Sequence, residues 1–237
     1  LLTLIGENTM IRRIQLTPIV LALGLVSGSA HAALQGRDLN GSADSFEAYY
    51  DTDLDITWLA NANMNSDMTW ANANTWAANL SLVDAVNNLT YDNWRLPTVV
   101  DTGTPGCNYA TTGTDCGYNV DTATSEIAHL FYDELGNKAY SDTSGNAPQS
   151  GWGLTNTGPF TNLQDGSYWS GTEYAPNTSN AWFFDFYFGD QDAIPKNYGV
   201  YALAVSPGDV AAVPEAQTYA LMLAGLGLIG WRARRCR

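Results

Sequence analysis

The sequence predicts an α+β domain with two helices and a small, mostly antiparallel sheet. Two observations predict it: strand-type runs open and close the central part of the chain, and only two segments between them carry apolar residues at helical spacing. Residues 46–50 and 56–59 read as short strands, joined by the polar Asp51-Thr52-Asp53-Leu54-Asp55 in a hairpin-like opening. In residues 68–80, Trp70, Ala73, Ala77 and Leu80 recur at the helical period and Thr69 stands where a cap belongs, so the first helix is expected there. Asp92-Asn93-Trp94-Arg95-Leu96-Pro97-Thr98 reads as a buried connector, because Pro97 holds Leu96 extended. Residues 101–121, rich in Gly, Thr and Asn, read as a long surface loop.

The second helix is expected over residues 124–136, with Ile127, Leu130, Phe131 and Leu135 on one face and Gly136 placed to end it. After another loop, 137–164, three strands are expected at 167–172, 180–188 and 198–205. In the middle one Trp182, Phe184, Phe186 and Phe188 alternate with Phe183, Asp185 and Tyr187, which makes one face strongly aromatic. The first and last strands should pair with each other.

Both ends of the chain carry targeting features. Met10-Ile11-Arg12-Arg13, the mostly apolar residues 14–26 and Ala30-His31-Ala32 together read as a secretory signal peptide, cleaved after Ala32. Met10 is the expected initiator and residues 1–9 an upstream extension, since Glu7 puts an acid where such peptides want positive charge. At the other end Pro214-Glu215-Ala216 precedes an uncharged run, 218–231, and then Arg232, Arg234, Arg235 and Arg237. As a helix that run spans about 20 Å, short of a ~30 Å hydrocarbon core unless residues 210–213 join it. The arginines would hold the C-terminal side in the cytoplasm. Gly225-x-Gly227-x-x-Gly230 fits a dinucleotide fingerprint by letter, but it follows no strand and reads as helix packing.

This C-terminal segment resembles the PEP-CTERM sorting signal of Gram-negative bacteria, built from a Pro-Glu-Pro motif, a short transmembrane helix and a basic tail. Ala216 stands in place of the second proline. The resemblance implies passage through the secretion machinery, transient inner-membrane anchoring, cleavage near Pro214-Glu215 by an exosortase-type sorting enzyme, and release to the cell surface or beyond. A plain tail anchor is the alternative. The expected organisation is therefore an upstream extension and signal peptide over 1–32, a folded domain over 33–210 and a sorting signal over 211–237.

Composition narrows the partners. Residues 33–213 hold four basic residues, Arg37, Arg95, Lys138 and Lys196, against 22 acids, a net charge of −18. Such a field excludes nucleic acid and anionic lipid, and it leaves divalent cations and neutral or cationic partners. Cys107 and Cys116 bracket a polar loop in an exported chain, so a disulfide between them is expected, contributing on the order of 2 to 3 kcal/mol. No zinc site is expected, because that spacing is not C-x-x-C and His129 is the sole histidine of the mature span.

Asp53-x-x-x-Thr57-Trp58, Thr69-Trp70-x-x-Ala73, Trp94-Arg95-Leu96-Pro97-Thr98, Tyr168-Trp169-Ser170-Gly171-Thr172 and Tyr201-Ala202-x-Ala204-Val205-x-Pro207 together resemble the Lcl C-terminal domain family. The resemblance runs over about residues 48–207. It implies a C-type lectin-like or formylglycine-generating-enzyme-like fold and an exported domain.

Asp51, Asp53 and Asp55, spaced by two in a turn, would suit calcium, although the EF-hand glycine and glutamate are missing; one solvated edge is the plainer reading. Asp185, Asp190 and Asp192 with Asn197 form a second acidic group. Aromatic rings mixed with Asn, Asp, Thr and Ser suit sugar recognition, because flat rings pack on pyranose faces while amides and carboxylates take hydroxyls. Trp58, Trp70, Trp94 and Trp169 are assigned to the core, and Trp182, Asp185, Tyr187, Asn197 and Tyr198 to ligand contact. The lectin calcium–sugar motifs themselves are absent, with only Ala175-Pro176-Asn177 and Phe183-Phe184-Asp185 in their place. No Gly-x-Ser-x-Gly is present, His129 reads as a partly buried helix residue and Arg95 as a buried arginine paired with a carboxylate, so no catalysis is expected. The resemblances and the residues together imply a surface-sorted, non-enzymatic protein of the extracellular matrix or exopolysaccharide layer that binds polysaccharide. A structural matrix component without a ligand and a polysaccharide-acting hydrolase are the alternatives.

Overall fold

The computed structural model describes residues 34–42, 45–105, 111 and 114–210, all within one compact unit. The signal peptide and the sorting segment lie outside them. The chain enters as β1 (Gln35–Arg37), β2 (Ala48–Asp51) and β3 (Ile56–Leu59), and the last strand, β10 (Val205–Pro207), returns to pair with β3. The resulting sheet is antiparallel, in the order β1-β2-β3-β10, with Val205 opposite Trp58. The closing strand thus joins the sheet of the opening hairpin, but the expected pairing of first and last strands is not made: β10 pairs with β3, the second strand of that hairpin, and the first expected strand, β2, lies between β1 and β3. β3 is buried at all four positions, which explains a continuous Ile-Thr-Trp-Leu in place of polar alternation. Arg37 is nearly buried and grips Asp209 through two hydrogen bonds, fastening the first strand to the residues beyond the last.

The closing strand starts later than the sequence suggests. Residues 200–204 pass between neighbours and cannot form one ladder: Met68 N donates to Val200 O at 2.8 Å, Trp169 N to Tyr201 O at 3.0 Å and Leu59 N to Ala204 O at 3.0 Å. Val205 then exchanges two hydrogen bonds with Arg95, so the Trp94-Arg95-Leu96-Pro97 connector runs beside it.

Helix α1 (Trp70–Ala78) forms where the periodicity places it, but the Thr69 side chain makes no cap. Tertiary contacts set its start: Trp70 N donates to Lys196 O and its indole to Ser170 O. A short ribbon, β4 (Leu82–Asp84) with β5 (Leu89–Tyr91), was not legible in the sequence; its turn is shaped by Asp84, whose carboxylate takes the Val86 and Asn87 amides. After the two-residue β6 (Gly117–Tyr118), helix α2 (Glu126–His129) is capped by the Ser125 hydroxyl, which accepts from Ala128 N. The helix then widens into a π turn, Leu130–Glu134, marked by Leu135 N donating to Leu130 O, and ends near Gly136 at φ 64°.

β7 (Ser167–Glu173), β8 (Asn180–Asp185) and β9 (Asp190–Pro195) complete a second antiparallel sheet in the order β6-β9-β8-β7. The run 180–188, expected as one strand, is β8 plus the turn into β9. Asp185 accepts from the Tyr187 and Phe188 amides there, and Gly189 sits at φ 64° with Ala139 Cα 2.8 Å from where a Cβ would lie.

Phe131 of the π turn packs on Phe184 of β8 and on Phe186 of the turn that follows it, with ring centroids 5.2 and 5.4 Å apart, and Tyr168 packs on Phe186 at 5.0 Å. Trp58, Trp94 and Trp169 are buried as expected and Trp70 is partly buried; each indole N–H is satisfied, by Asp51, Tyr91 O, Met68 O and Ser170 O respectively. Arg95 is only partly buried, and it makes the expected carboxylate pair with both oxygens of Glu126 at 2.7 Å. Cys116 is buried and disulfide-bonded, while Cys107 lies outside the described residues. Among the described residues no helix is long and apolar enough to cross a membrane. Because Phe131 joins the helix to the second sheet, Phe131→Ala should cost about 3 to 5 kcal/mol, read as a lower urea midpoint at unchanged slope; a loss under about 1 kcal/mol would show that the contact is dispensable.

Candidate functional site

Asp51, Asp53 and Asp55 do not form one calcium-type cluster. Alternate residues share a face only in a strand, and the chain reverses here, with Asp55 at φ 51°. Asp51 ends β2 with a fully buried side chain: one oxygen accepts from the Asp53 and Leu54 amides, each at 3.1 Å, and the other from the Trp58 indole at 3.2 Å. Asp53 and Asp55 are exposed, and Asp55 accepts from the Tyr50 hydroxyl.

Asp51 meets different partners inside. His129 Nε2 lies 3.7 Å from Asp51 Oδ2 and 3.4 Å from Glu134 Oε1. The three ligand atoms all lie within 4.8 Å of one another, the one such group of His, Cys, Asp or Glu among the described residues. The π turn makes this possible. In an α-helix, residues five apart point about 140° from each other; widening the turn brings Glu134 back toward His129. On the far side of the ring His129 Nδ1 lies 3.1 Å from Asp133 Oδ2. The Glu134 side chain is 1 % exposed, and burial, then the charge of Asp51, push its carboxyl up to about 7 against the opposing pull of His129. Both His129 Nε2 and Glu134 Oε1 lack any hydrogen-bond partner. Sequence reading places His129 on a helix and misses this convergence, since Asp51 lies in a distant segment and the π turn that brings Glu134 round leaves no periodic signal.

The hairpin candidates separate. Trp182 is buried at 1 % exposure, its indole donating to Asp101, so it is not the exposed ligand contact expected of it. Tyr198 and Asn197 are exposed but follow the far end of β9, roughly 17 Å along the strand from the turn that carries Tyr187. At that turn Tyr187 and Phe188 are 44 % and 39 % exposed. Trp152 stacks on Phe188 with ring planes 8° apart and meets Tyr187 edge-on, and Tyr140 buttresses Trp152 at 4.9 Å. Phe188 and Trp152 thus join Tyr187 in an aromatic surface that was not foreseen, because residue 152 lies in a long loop. Asp185 holds the turn and accepts from the Ser167 hydroxyl.

Residues 212–237 match the PEP-CTERM protein-sorting motif. That motif marks an exported, surface-sorted protein, recognised and processed by an exosortase-type enzyme. No curated protein matches the chain.

Asp190 lies beside the aromatic turn with Asp185, Asp192, Tyr118 and Tyr132 around it. Burial, then Asp185 and Asp192, push its carboxyl up to about 7 from an ordinary 3.8. Between about pH 4 and pH 7 the unfolded chain releases this proton while the folded chain keeps it, so stability present below pH 4 is lost as pH rises. Asp190→Asn should therefore raise stability at pH 8 by on the order of 2 to 4 kcal/mol, with the gain vanishing near pH 4. Urea midpoints at the two pH values check it; an equal effect at both would refute the linkage.

Proposed function

We propose that this exported chain is a non-enzymatic protein of the extracellular matrix or exopolysaccharide layer that binds a neutral polysaccharide through the β8–β9 turn. The reading rests on one observation: Tyr187 and Phe188 stand exposed on a turn whose rings are locked by Trp152 and Tyr140. Leaving apolar rings in water is costly unless a ligand covers them, and rings already fixed lose little conformational entropy on binding. The surface sorting brings such a turn to the matrix, and the acid excess favours uncharged sugar over anionic polymer. A C-type lectin-like domain, with transient inner-membrane anchoring of the tail before cleavage, completes the reading.

Exported chain on a glycan array should bind neutral glycans, and Tyr187→Ala or Phe188→Ala should weaken binding about tenfold, the loss of one aromatic contact. Tyr198→Ala should leave it unchanged. An empty array, with or without calcium, would leave the structural matrix role, and release of reducing sugar from exopolysaccharide would favour a hydrolase. Mass spectrometry of the secreted material should find a C-terminus near Pro214-Glu215; an intact tail ending in Arg237 would refute processing.

A further inference from the structure

We infer that Asp51, His129 and Glu134 form a binding site for one divalent transition-metal ion of the zinc type. This goes beyond the sugar-binding reading and stands without it. Three electron-rich atoms from three places in the chain, the end of β2, the end of α2 and the π turn, point at a common volume inside the protein. Two of them, His129 Nε2 and Glu134 Oε1, are buried with no hydrogen-bond partner, and unpaired buried polar atoms are costly unless something occupies the space between them.

The geometry points to a small ion. Ligand atoms about 2.0 to 2.1 Å from a tetrahedral centre stand roughly 3.4 Å apart; His129 Nε2 lies 3.4 Å from Glu134 and 3.7 Å from Asp51, and the two carboxylate oxygens lie within 4.8 Å of each other. Calcium is a poorer fit, since it takes six to eight oxygens at longer range and an imidazole is not among its usual ligands. The surroundings are those of a ligand set held in place. Asp133 Oδ2 lies 3.1 Å from Nδ1, so a proton on Nδ1 would leave Nε2 as the inward lone pair, the carboxylate–histidine–metal arrangement. Asp51 is oriented by two backbone amides and the Trp58 indole. The π turn has a use here too, because it turns Glu134 toward the ion. A proton on Nε2 is the competing occupant, but Asp51 Oδ2 at 3.7 Å is beyond hydrogen-bond range and Glu134 Oε1 at 3.4 Å is long for one. With three protein ligands, a fourth position is left for water. The ion would fasten the first hairpin to the second helix.

The test uses the full chain, stripped with a chelator and titrated calorimetrically with Zn²⁺ and, separately, Ca²⁺. One Zn²⁺ per chain should bind at micromolar strength or better and raise Tm, Ca²⁺ should compete poorly, and Co²⁺ should give the intense visible absorption of a tetrahedral site. Glu134→Gln, which keeps the shape, should weaken Zn²⁺ at least tenfold and abolish the Co²⁺ band, whereas Asp53→Asn and Asp55→Asn should leave both intact. Should Glu134→Gln fail to fold, Asp133→Asn removes only the exposed partner of Nδ1 and should still weaken Zn²⁺ about tenfold. No stoichiometric Zn²⁺ binding by the unaltered chain would overturn the proposal. Binding undiminished in folded Glu134→Gln would overturn it as well, and so would undiminished binding in Asp133→Asn.

Discussion

Everything in this fold depends on how residues 200–207 are held. Their backbone groups bond to β7 through Tyr201, to β3 through Ala204 and β10, and to the Trp-Arg-Leu-Pro connector through Val205. A single extended segment therefore belongs to both sheets. It is buried from Ala202 to Ser206, so each amide and carbonyl must find a protein partner, and a slip of one residue would strand several of them. The small side chains Ala202 and Ala204 allow close approach on both sides.

Around that seam the aromatic residues divide the work by depth. Indoles buried in the core each satisfy their N–H on a fixed acceptor, Asp51, Tyr91 O, Met68 O or Asp101. The rings at the β8–β9 turn have no such duty and pack edge-on or stacked at the surface. One composition thus serves two purposes, a core with its polar tips paired and a rigid apolar patch facing solvent. The widened end of α2 also acts on both sides: Phe131 is pressed into the second sheet while Glu134 turns toward Asp51 and His129.

Local patterns were readable where the physics is local. Helix periodicity located α1 and α2, the β2–β3 hairpin was visible as two apolar runs around an acidic turn, and Gly136 ended its helix as expected. The Thr69 cap failed because Trp70 is already fixed from outside the helix, by Lys196 O and Ser170 O. The run 180–188 was too long as a strand because Gly189 and Asp185 impose a turn that alternation alone does not reveal.

By itself the sequence determined the acidic balance, the helix faces, the burial of three of the four motif tryptophans and the sorting signal over residues 212–237, because each depends on residue type or short-range spacing. Only the tertiary structure decided which acids meet. Asp51 leaves Asp53 and Asp55 for His129 and Glu134, more than 70 residues away in the chain, and Trp152 joins Tyr187 and Phe188 from a separate loop. Those encounters are set by sheet order and by one widened helical turn, and neither leaves a periodic trace in the residues that take part.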